Sequence, residues 1–431
     1  MLNRFQLADH GSTPRREVIA GMTTFLASVY IVAVNPAILS PTGMPFAAVL
    51  TATVLVSAFS SLAMGLYANN PIILAPGMGL NVFFAVSVVE GMGVRWETAL
   101  GAVFWSGIVF LIMSIYGIRE RILRAIPMPL RYATSAGIGL FITLIGLTNA
   151  GFITADGGLR FGGFTPVTLT FVAGLLLTAI LVARRVRGAL AIGITLTTLL
   201  AVPAGRWWEG ARLVEWQGLV QAPDFSLVFQ LDLWGSLHLA VWPVMFAFLF
   251  TDLFDSISTL IGVSEAAGLV DESGEPRRIG PSLVVDGLAT TLSGLLGSSP
   301  GTCYIESATG VEAGGRTGLT AVVAGLLFLP FMFVSPLLSM IPAVATAPAL
   351  VLVGVFMMTP VTRIAWHRFD EAIPAFLALV LIPGTHSITQ GIVWGFLGWT
   401  VIKVGTGRWR ELTPTLVVID VFAVLALYLG G

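Results

Sequence analysis

The sequence predicts an all-α polytopic membrane protein in which fourteen transmembrane segments form two inverted repeats of seven. Three observations support this prediction: the composition, the distribution of basic residues, and two short broken segments at matching places. Of the 431 residues, 56% are hydrophobic and only 10% are charged, and the mean hydropathy is +0.91. Soluble domains carry about 25% charged residues, so composition alone argues against a soluble protein.

A helix needs about 20 apolar residues to cross the hydrocarbon core of a bilayer. This criterion predicts a first set of spans near 18–34, 47–67, 72–90, 97–117, 130–150, 166–183 and 188–204. After a polar stretch at 205–235, it predicts a second set near 237–262, 282–297, 300–312, 317–336, 342–360, 372–386 and 388–404. The run at 413–430 is left over. It contains Asp420, which disfavours a lipid-exposed span, so this run either crosses the membrane or lies on its surface.

The basic residues fix the predicted orientation. With the N-terminus in the cytoplasm, the inner loops collect most of the 22 Lys and Arg residues, including the group Arg119, Arg121, Arg124 and Arg131. The outer side receives only Arg95, Arg160, Arg206 and Arg212. Cytoplasmic loops are enriched in Lys and Arg, so the tally supports both the span count and the orientation.

The two sets of spans resemble each other weakly. The segment from Ile126 has the character of the segment from Ile341, about half the chain later, and each set has a short third segment marked by proline, 69–81 and 298–310. Because seven is an odd number, the second copy is inverted in the membrane. Inverted repeats with paired broken segments point to a transporter site near the bilayer midplane. Chance similarity between apolar segments is the alternative.

Carboxylates inside these segments are the first candidate site residues. Asp252 and Asp255 lie in the apolar run 246–262, and Glu306 lies in the broken segment 298–310. A carboxylate in hydrocarbon is costly unless it faces a cavity or a partner. Asp252 and Asp255 share a helix face, and two carboxyls at low dielectric suit a proton site in which one is neutral for part of a cycle. The structural alternative is that one of these two aspartates only caps or braces a neighbouring helix.

The other candidates surround these acids. Glu306 opens a short helix, where the helix dipole favours an anion or a simple cap. Asn81 follows Gly77 and Gly79; its amide both donates and accepts, and the glycines let backbone N–H groups approach a ligand. Phe254 could stack on a ring, although packing is the commoner role of such a residue. Asp286 is expected at the cytoplasmic interface.

Several functions lack their sequence signals. The single cysteine, Cys303, excludes an internal disulfide framework, and no Cys/His cluster indicates a metal. The chain has no phosphate-binding P-loop and neither a GxSxG elbow nor an HExxH pair. We therefore expect a protein that is not an enzyme, with no cofactor, no metal and no nucleic-acid partner.

Four segments carry a resemblance to a known family: AGMTTFLASVYIVAVNPAIL (20–39), NNPIILAPGMGLNVFFA (69–85), FLFTDLFDSISTLIGVSEAAGL (248–269) and YIESATGVEAGGRTGLTAVVAGLLFLP (304–330). They resemble nucleobase–cation symporters, in particular the AzgA-like branch of guanine, hypoxanthine and adenine permeases. The resemblance extends from about residue 13 to residue 405. It implies the uracil-permease fold, with short strands in the third and tenth segments, and a multi-pass protein of the inner membrane that forms homodimers in contact with lipid.

The resemblance also implies a division into domains that slide past each other like an elevator. The implied parts are a core domain (1–125 and 237–336), a gate domain (126–204 and 337–405), an external loop (205–236) and a C-terminal hydrophobic segment (406–431).

By the same resemblance, the chain imports purine nucleobases together with protons. Carried over residue by residue, the resemblance places substrate contacts at Asp252, Glu306 and Asn81. The predicted substrate site also includes Gly79, Phe254, Thr302 and Cys303 from the same segments, and the proton would bind at Asp252, Asp255 or Glu306. Pro300 and Gly301 replace hydroxyl residues that the branch usually has before the glutamate, which leaves the preferred base open. The alternatives are the same fold carrying xanthine, uracil or an inorganic anion, and a channel.

Overall fold

The computed structural model describes residues 2–118, 126–154, 159–208, 218–270 and 276–430. Three basic residues of the predicted cytoplasmic loop, Arg119, Arg121 and Arg124, lie outside the described residues, as does the part 209–217 of the polar stretch, which includes Arg212. The proposed domain boundary between 125 and 126 falls at the edge of a described range.

In the first half, the described helices are α1 (Pro14–Ser28), α2 (Ile31–Leu39), α3 (Phe46–Ala63), α4 (Met78–Val82), α5 (Trp96–Ile115), α6 (Met128–Asn149), α7 (Pro166–Ala183) and α8 (Ala189–Trp208). The strands are β1 (Leu74–Pro76), β2 (Ile153–Thr154) and β3 (Arg160–Phe161). π-Helical turns continue α3 through Met64–Ala68 and α4 through Phe83–Gly91. Wide turns of this kind occur often at functional sites.

In the second half, the described helices are α9 (Trp242–Ala267), α10 (Ile279–Leu296), α11 (Ser307–Glu312), α12 (Gly318–Phe328), α13 (Ser335–Ser339), α14 (Ala343–Met358), α15 (Phe369–Thr385), α16 (Ile388–Gly405) and α17 (Pro414–Gly430). Strand β4 is Gly301–Cys303. Short 3₁₀ turns lie at Leu2–Phe5, Ser40–Thr42, Gly235–Leu237, Leu239–Val241, Leu329–Phe333, Thr359–Arg363 and Trp409–Glu411.

These elements coincide with the predicted spans. For example, α7 has the predicted bounds 166–183 because Thr165 forms a capping box with Thr168 and Pro166 occupies the first helical position, where its missing N–H costs nothing. Eight described helices are long and apolar enough to cross a membrane, and four apolar helices are shorter. The third and tenth segments are interrupted by β1 and β4, as expected for broken segments. The prediction of two inverted sevens in an all-α fold is confirmed.

Exchange of the two sets of seven leaves the helix packing unchanged. The fourth segment, α5, packs against the ninth, α10, and their counterparts α12 and α3 also pack together. The fifth segment, α6, packs against its own counterpart α14, and β1 pairs with its counterpart β4. This is the pattern of a pseudo-two-fold axis in the membrane plane.

Glycine residues allow the closest of these crossings. A Cβ atom on Gly318 of α12 would overlap the carbonyl oxygen of Gly65, which continues α3. A Cβ atom on Gly139 of α6 would lie 2.7 Å from the carbonyl oxygen of Gly354 on α14. Small residues at such contacts let helix backbones approach each other where apolar lipid provides no hydrophobic drive.

The left-over C-terminal run forms α17, which packs against α16 and α9. Its acidic residue Asp420 is 8% exposed and accepts a 2.5 Å hydrogen bond from the Thr400 hydroxyl on α16. The residues on the opposite face of α17, including Val421 and Leu425, are exposed and apolar. The helix therefore turns its carboxyl toward the protein and an apolar side outward.

A buried lysine joins α16 to the elements on either side of it. Lys403 is fully buried, and its Nζ lies 2.8 Å from Asp370 at the start of α15 and 2.7 Å from Glu411 before α17. Trp399 covers the ammonium with its ring at 4.7 Å. Removal of one partner leaves uncompensated charges in a place that water reaches poorly.

We expect Lys403→Met to lower the stability of the purified protein by about 2 kcal/mol, less than the 3–5 kcal/mol of a fully buried pair because Glu411 is half-exposed. Thermal unfolding in detergent measures this change. Arg408→Ala is the matched control, since Arg408 also contacts Asp370 but its side chain is 45% exposed. Equal effects of the two substitutions would contradict the prediction.

Candidate functional site

The two broken segments meet at the centre of the molecule as a two-stranded antiparallel sheet. β1 and β4 pair in the register Leu74 with Cys303, Ala75 with Thr302 and Pro76 with Gly301. The pairing continues on both sides, where the Gly77 amide donates to the Pro300 carbonyl at 2.9 Å and the Tyr304 amide donates to the Ile73 carbonyl at 3.0 Å. Segments more than two hundred residues apart thereby place their helix starts, α4 and α11, side by side.

Side-chain hydroxyls satisfy the outer edges of the two strands. On β1, the Ser61 hydroxyl accepts from the Leu74 amide and donates to the Leu74 carbonyl, both at 3.1 Å. On β4, the Thr290 hydroxyl lies 3.0 Å from the Gly301 carbonyl, and the Cys303 amide donates to the Ser256 hydroxyl at 3.3 Å. Non-helical backbone at membrane depth is tolerated because its polar groups have such partners.

A cavity of about 420 Å³ lies beside this sheet, a size typical of sites for small molecules. Its inner wall comes from both broken segments and from α9: Gly77, Met78, Gly79, Asp255, Cys303, Tyr304 and Glu306. Its outer wall comes from α6, from α14 and from the 3₁₀ turn that follows α14, and it includes Arg131, Tyr132, Val353, Met357 and Arg363. The cavity reaches the surface beside the exposed residues Met128, Glu265 and Arg363.

Glu306 lines the cavity with its carboxyl available to a ligand. It precedes α11 but makes no capping hydrogen bond to that helix, so the simple capping role is excluded in this structure. The Tyr30 hydroxyl donates to Glu306 Oε1 at 2.6 Å. Tyr30 lies at the break between α1 and α2, and the two residues hold a hydrogen-bonded carboxylate and phenol against the cavity.

Asp255 is the carboxyl of α9 that lines the cavity. It is half-buried, and the Thr302 hydroxyl on β4 donates to its Oδ2 at 3.3 Å. Thr302 is fully buried, so it contacts a lining residue without lining the cavity itself. Asp255 and Glu306, from the first and third segments of the second repeat, therefore share one polar wall.

Asp252 lies one turn earlier and does not line the cavity. It is 1% exposed and contacts the Ser256 hydroxyl at 3.2 Å and the Thr290 hydroxyl of α10 at 2.7 Å. In this structure its carboxyl lies behind β4 rather than against a ligand space. The assignment of Asp252 as a direct substrate ligand finds no support in this geometry, while a role in proton coupling stays a prediction.

Asp286 was expected at the cytoplasmic interface, and this expectation is wrong. Asp286 is fully buried in the middle of α10, where the Ser256 hydroxyl donates to its Oδ1 at 2.6 Å. The error arose because α10 begins at Ile279, before the apolar run, so that Asp286 lies two turns inside the helix.

Of the remaining predicted site residues, some line the cavity and others are buried in the packing around it. Gly79 and Cys303 line the cavity. Asn81 is fully buried and donates to Asn35 Oδ1 at 3.1 Å, which braces α4 against α2. Phe254 packs between Phe250 and Phe396, with ring centroids 6.1 and 6.3 Å away, so its ring fills the core instead of facing the cavity.

Sequence reasoning missed Tyr30, Tyr304 and Arg131 as lining residues. Tyr304 precedes the extended turn at Glu306 and donates its hydroxyl to the Pro76 carbonyl at 2.5 Å, which adjacency to Glu306 could have indicated. Arg131 binds the Ile126 carbonyl through Nε and Nη2 at 3.1 and 2.8 Å. Nothing in the sequence distinguishes Tyr30 from other aromatic residues, because its position depends on the break in the first span.

Comparison with solved structures defines the fold class. The chain matches the transmembrane domain of the cyanobacterial bicarbonate transporter BicA with a TM-score of 0.61 and 17% identity, over 95% of this chain and 97% of that one. It also matches SLC26A9 with a TM-score of 0.62 and 12% identity, over 91% of this chain and 65% of that one. The fold is therefore that of multi-pass membrane transporters built from inverted sevens.

The model of the Permease family matches residues 15–393, and the chain belongs to this family. Among curated relatives it is 45% identical to the adenine permease AdeP of Escherichia coli strain K12, over 99% of this chain and 95% of that protein. It is 40% identical to the guanine/hypoxanthine permease PbuO of Bacillus subtilis strain 168, over 99% of this chain and 100% of that protein. The family resemblance of the sequence motifs is confirmed.

Proposed function

We propose that this permease imports purine nucleobases by proton symport. The observation that carries the proposal is the pair of carboxyls, Asp255 and Glu306, on one wall of a cavity beside the crossed broken segments. Relatives at 40 and 45% identity are named as guanine/hypoxanthine and adenine permeases. A purine presents ring N–H groups and an exocyclic amine or carbonyl, and carboxylates are the acceptors that such donors require.

In the proposed complex, Glu306 accepts hydrogen bonds from ring N–H groups while Tyr30 fixes its carboxylate. Asp255, which lines the cavity where Asp252 does not, accepts from the opposite edge of the base. The backbone at Gly77 and Gly79 lies against the same space and can contact the ring closely because these residues lack side chains. Tyr304 adds an aromatic surface beside them.

The cavity opens on the side that the basic residues assign to the cytoplasm. Arg131 and Arg363 both lie in its wall, and both belong to the inner group of the positive-inside tally. We infer a cytoplasmic N-terminus and an inward-facing state in which the base would leave toward the cytoplasm.

The ranges of sequence that line the cavity also support the proposed division into a core domain and a gate domain. Its polar wall comes from the core ranges 1–125 and 237–336, and its opposite wall comes from α6 and α14 of the gate ranges 126–204 and 337–405. The proposed core and gate domains are in close contact at Gly79, where an added Cβ atom would lie only 2.5 Å from Ile138 Cγ2 on α6. Sliding of the core along α6 and α14 would carry the base across the membrane.

The test is uptake of radiolabelled hypoxanthine, guanine and adenine by cells that lack their own nucleobase permeases. We expect saturable uptake of at least one purine, faster at lower external pH and abolished by a protonophore. Asp255→Asn should reduce uptake at least about tenfold, the effect of about 1.4 kcal/mol of lost binding. Asp9→Asn, which changes an exposed carboxyl outside the membrane, should leave uptake unchanged.

Competition separates the alternatives. Excess xanthine or uracil would suppress purine uptake if the site prefers those bases, and excess sulfate would suppress it if the site takes an inorganic anion. Carboxylates in the polar wall disfavour anions, which prefer cationic groups and helix N-termini. Purine uptake that is insensitive to pH and to the protonophore would instead indicate a channel.

A further inference from the structure

A second, smaller cavity of about 30 Å³ lies beside the N-terminal segment of the chain. It holds on the order of two or three water-sized groups, so it admits the oxygens of a small polar ligand but not a purine. Two arginines in its wall are exposed, which leaves the cavity open to solvent. The described residues of the wall include no carboxylate, but they include one histidine and three arginines: His10, Arg277, Arg278 and Arg316.

Among the described residues, none of these arginines forms an ion pair. Arg277 Nη1 lies 3.1 Å from His10 Nδ1. A guanidinium only donates, so His10 accepts through Nδ1, and its ring is neutral in this contact. Burial and the charge of Arg277 lower the pKa of His10, in agreement with a neutral ring. Arg316 Nη1 donates to the carbonyls of Val311 and Gly315, both at 2.7 Å, which are neutral as well. The wall therefore has a positive charge that favours an anion.

The acidic residues near this wall in the chain do not change that conclusion for the described part. Glu17 is fully buried, and its carboxylate accepts hydrogen bonds from two backbone amides and two hydroxyls rather than from a guanidinium. Three further carboxylates belong to residues 271–275, which lie outside the described residues. Binding to this cavity must therefore be measured on the full-length chain.

One polar atom in the wall of this cavity has no hydrogen-bond partner. Asn70 is 4% exposed, and its Nδ2 donates to the Ser282 hydroxyl at 3.2 Å. The direction of that bond is determined, because the Ser282 hydroxyl gives its own hydrogen to the Arg278 carbonyl at 3.0 Å. Asn70 Oδ1 is left buried without a donor. Since buried acceptors are almost always paired, a ligand of this cavity should bring a hydrogen to donate as well as a negative charge.

We propose that this cavity binds a phosphate group whose own hydroxyl, or a neighbouring one, donates to Asn70 Oδ1. Guanidinium groups match the geometry of phosphate oxygens and form charge-assisted hydrogen bonds with them. The helix α10 begins directly after Arg278, so the positive end of its dipole adds to the attraction. Hydrogen phosphate combines the negative charge with an O–H group, and the headgroup of phosphatidylglycerol combines a phosphate with hydroxyls.

The proposed ligand would join four segments of the ranges 1–125 and 237–336. These segments are the N-terminal stretch, the turn before β1, the residues before α10 and the loop between α11 and α12. Arg316 lies in that loop and holds the end of α11, the helix that Glu306 precedes. The cavity shares no described lining residue with the larger one. The inference is thus independent of which substrate the protein transports.

The first experiment compares inorganic phosphate with sulfate on the purified, delipidated full-length protein. Thermal unfolding at neutral pH and constant ionic strength, adjusted with chloride, gives apparent affinities. We expect phosphate to bind at least about tenfold more tightly than sulfate, because sulfate has no hydrogen to donate to the buried acceptor. Asn70→Ala should bring the two affinities close together. Equal affinities in the wild type would overturn the role of Asn70 and with it the proposal.

Variants of the arginines locate the bound phosphate. Arg277→Gln and Arg278→Gln should each weaken phosphate binding at least about tenfold, the effect of one hydrogen bond to a charged group. Arg277→Lys should weaken it less, because it keeps the charge. Arg187→Gln is the matched control, since Arg187 is exposed between α7 and α8 and lines neither cavity. Equal losses in Arg187→Gln and Arg277→Gln would show a general charge effect and overturn the site.

The second experiment identifies the source of the phosphate. Native mass spectrometry compares protein equilibrated with phosphatidylglycerol and with phosphatidylcholine. If the ligand is a lipid headgroup, phosphatidylglycerol stays bound to the wild type and to Arg187→Gln, is lost from Arg277→Gln, and is displaced by inorganic phosphate. If the ligand is a free phosphate, inorganic phosphate binds while the two lipids behave alike. Binding of neither phosphate nor phosphatidylglycerol would overturn the proposal and leave the proposed purine transport untouched.

Discussion

Glu306→Gln is expected to reduce purine uptake about 100-fold, the effect of about 2.7 kcal/mol lost when one partner of a buried hydrogen-bonded charge pair is removed. The glutamine keeps the size of the side chain but removes its charge and replaces one of the two acceptor oxygens with an NH₂ donor. Tyr30→Phe, which removes the 2.6 Å hydrogen bond to this carboxylate, should cost less, about tenfold. Initial uptake rates at several substrate concentrations measure both effects.

Glu312→Gln is the matched control for this prediction. It makes the same chemical change at the other end of the short helix α11, at an exposed residue outside the cavity. Uptake should stay within about twofold of wild type, as for surface substitutions in general. If Glu306→Gln transported purines as well as Glu312→Gln does, at equal amounts of protein in the membrane, the site would lie elsewhere.

Gly77→Val should abolish uptake and lower stability by about 1–3 kcal/mol, the usual cost of overpacking. Gly77 follows β1 with φ −70°, so its backbone tolerates a side chain, and the obstacle is space alone. A Cβ atom there would overlap Thr302 Cγ2 on β4. Because Thr302 also donates to Asp255, displacement of Thr302 disturbs both the strand pairing and a lining carboxyl.

Gly262→Ala provides the comparison. Gly262 lines the same cavity, but a Cβ atom there would meet only Ile305 Cδ1, at an ordinary 3.8 Å. Uptake and the thermal unfolding temperature of Gly262→Ala should remain close to wild type. Similar behaviour of the two variants would show that the contact between Gly77 and Thr302 does not limit function.

Much of the fold could be predicted because each piece has a local cause. Apolar runs of bilayer length define the spans, and caps such as Thr165 with Pro166 define helix ends. Even the meeting of the two broken segments followed from their matching places in two inverted copies. The division of the first span into α1 and α2 could not be predicted, because no proline or glycine marks the break at Tyr30.

The site was harder to predict because helical spacing leaves a choice between neighbouring faces. Asp252 and Asp255 are three residues apart and were expected to act together. In the structure, however, Asp255 lies in the cavity wall, whereas Asp252 is buried behind β4. Asn81 and Phe254 have the chemistry to bind a base but are held by Asn35 and Phe396. Which face of α9 meets the cavity depends on the several elements that pack against it, including α5, α11 and β4, and no local pattern in α9 records those contacts.

The two strands differ in what secures them, although the halves of the chain repeat each other. One serine, Ser61, satisfies both outward groups of Leu74 on β1. On β4, by contrast, the hydroxyls of Thr290 and Ser256 contact the strand and also contact the buried carboxyls of Asp252 and Asp286. The internal symmetry of the backbone is therefore broken by side chains, and buried carboxyls make the two broken segments unequal at the site that they share.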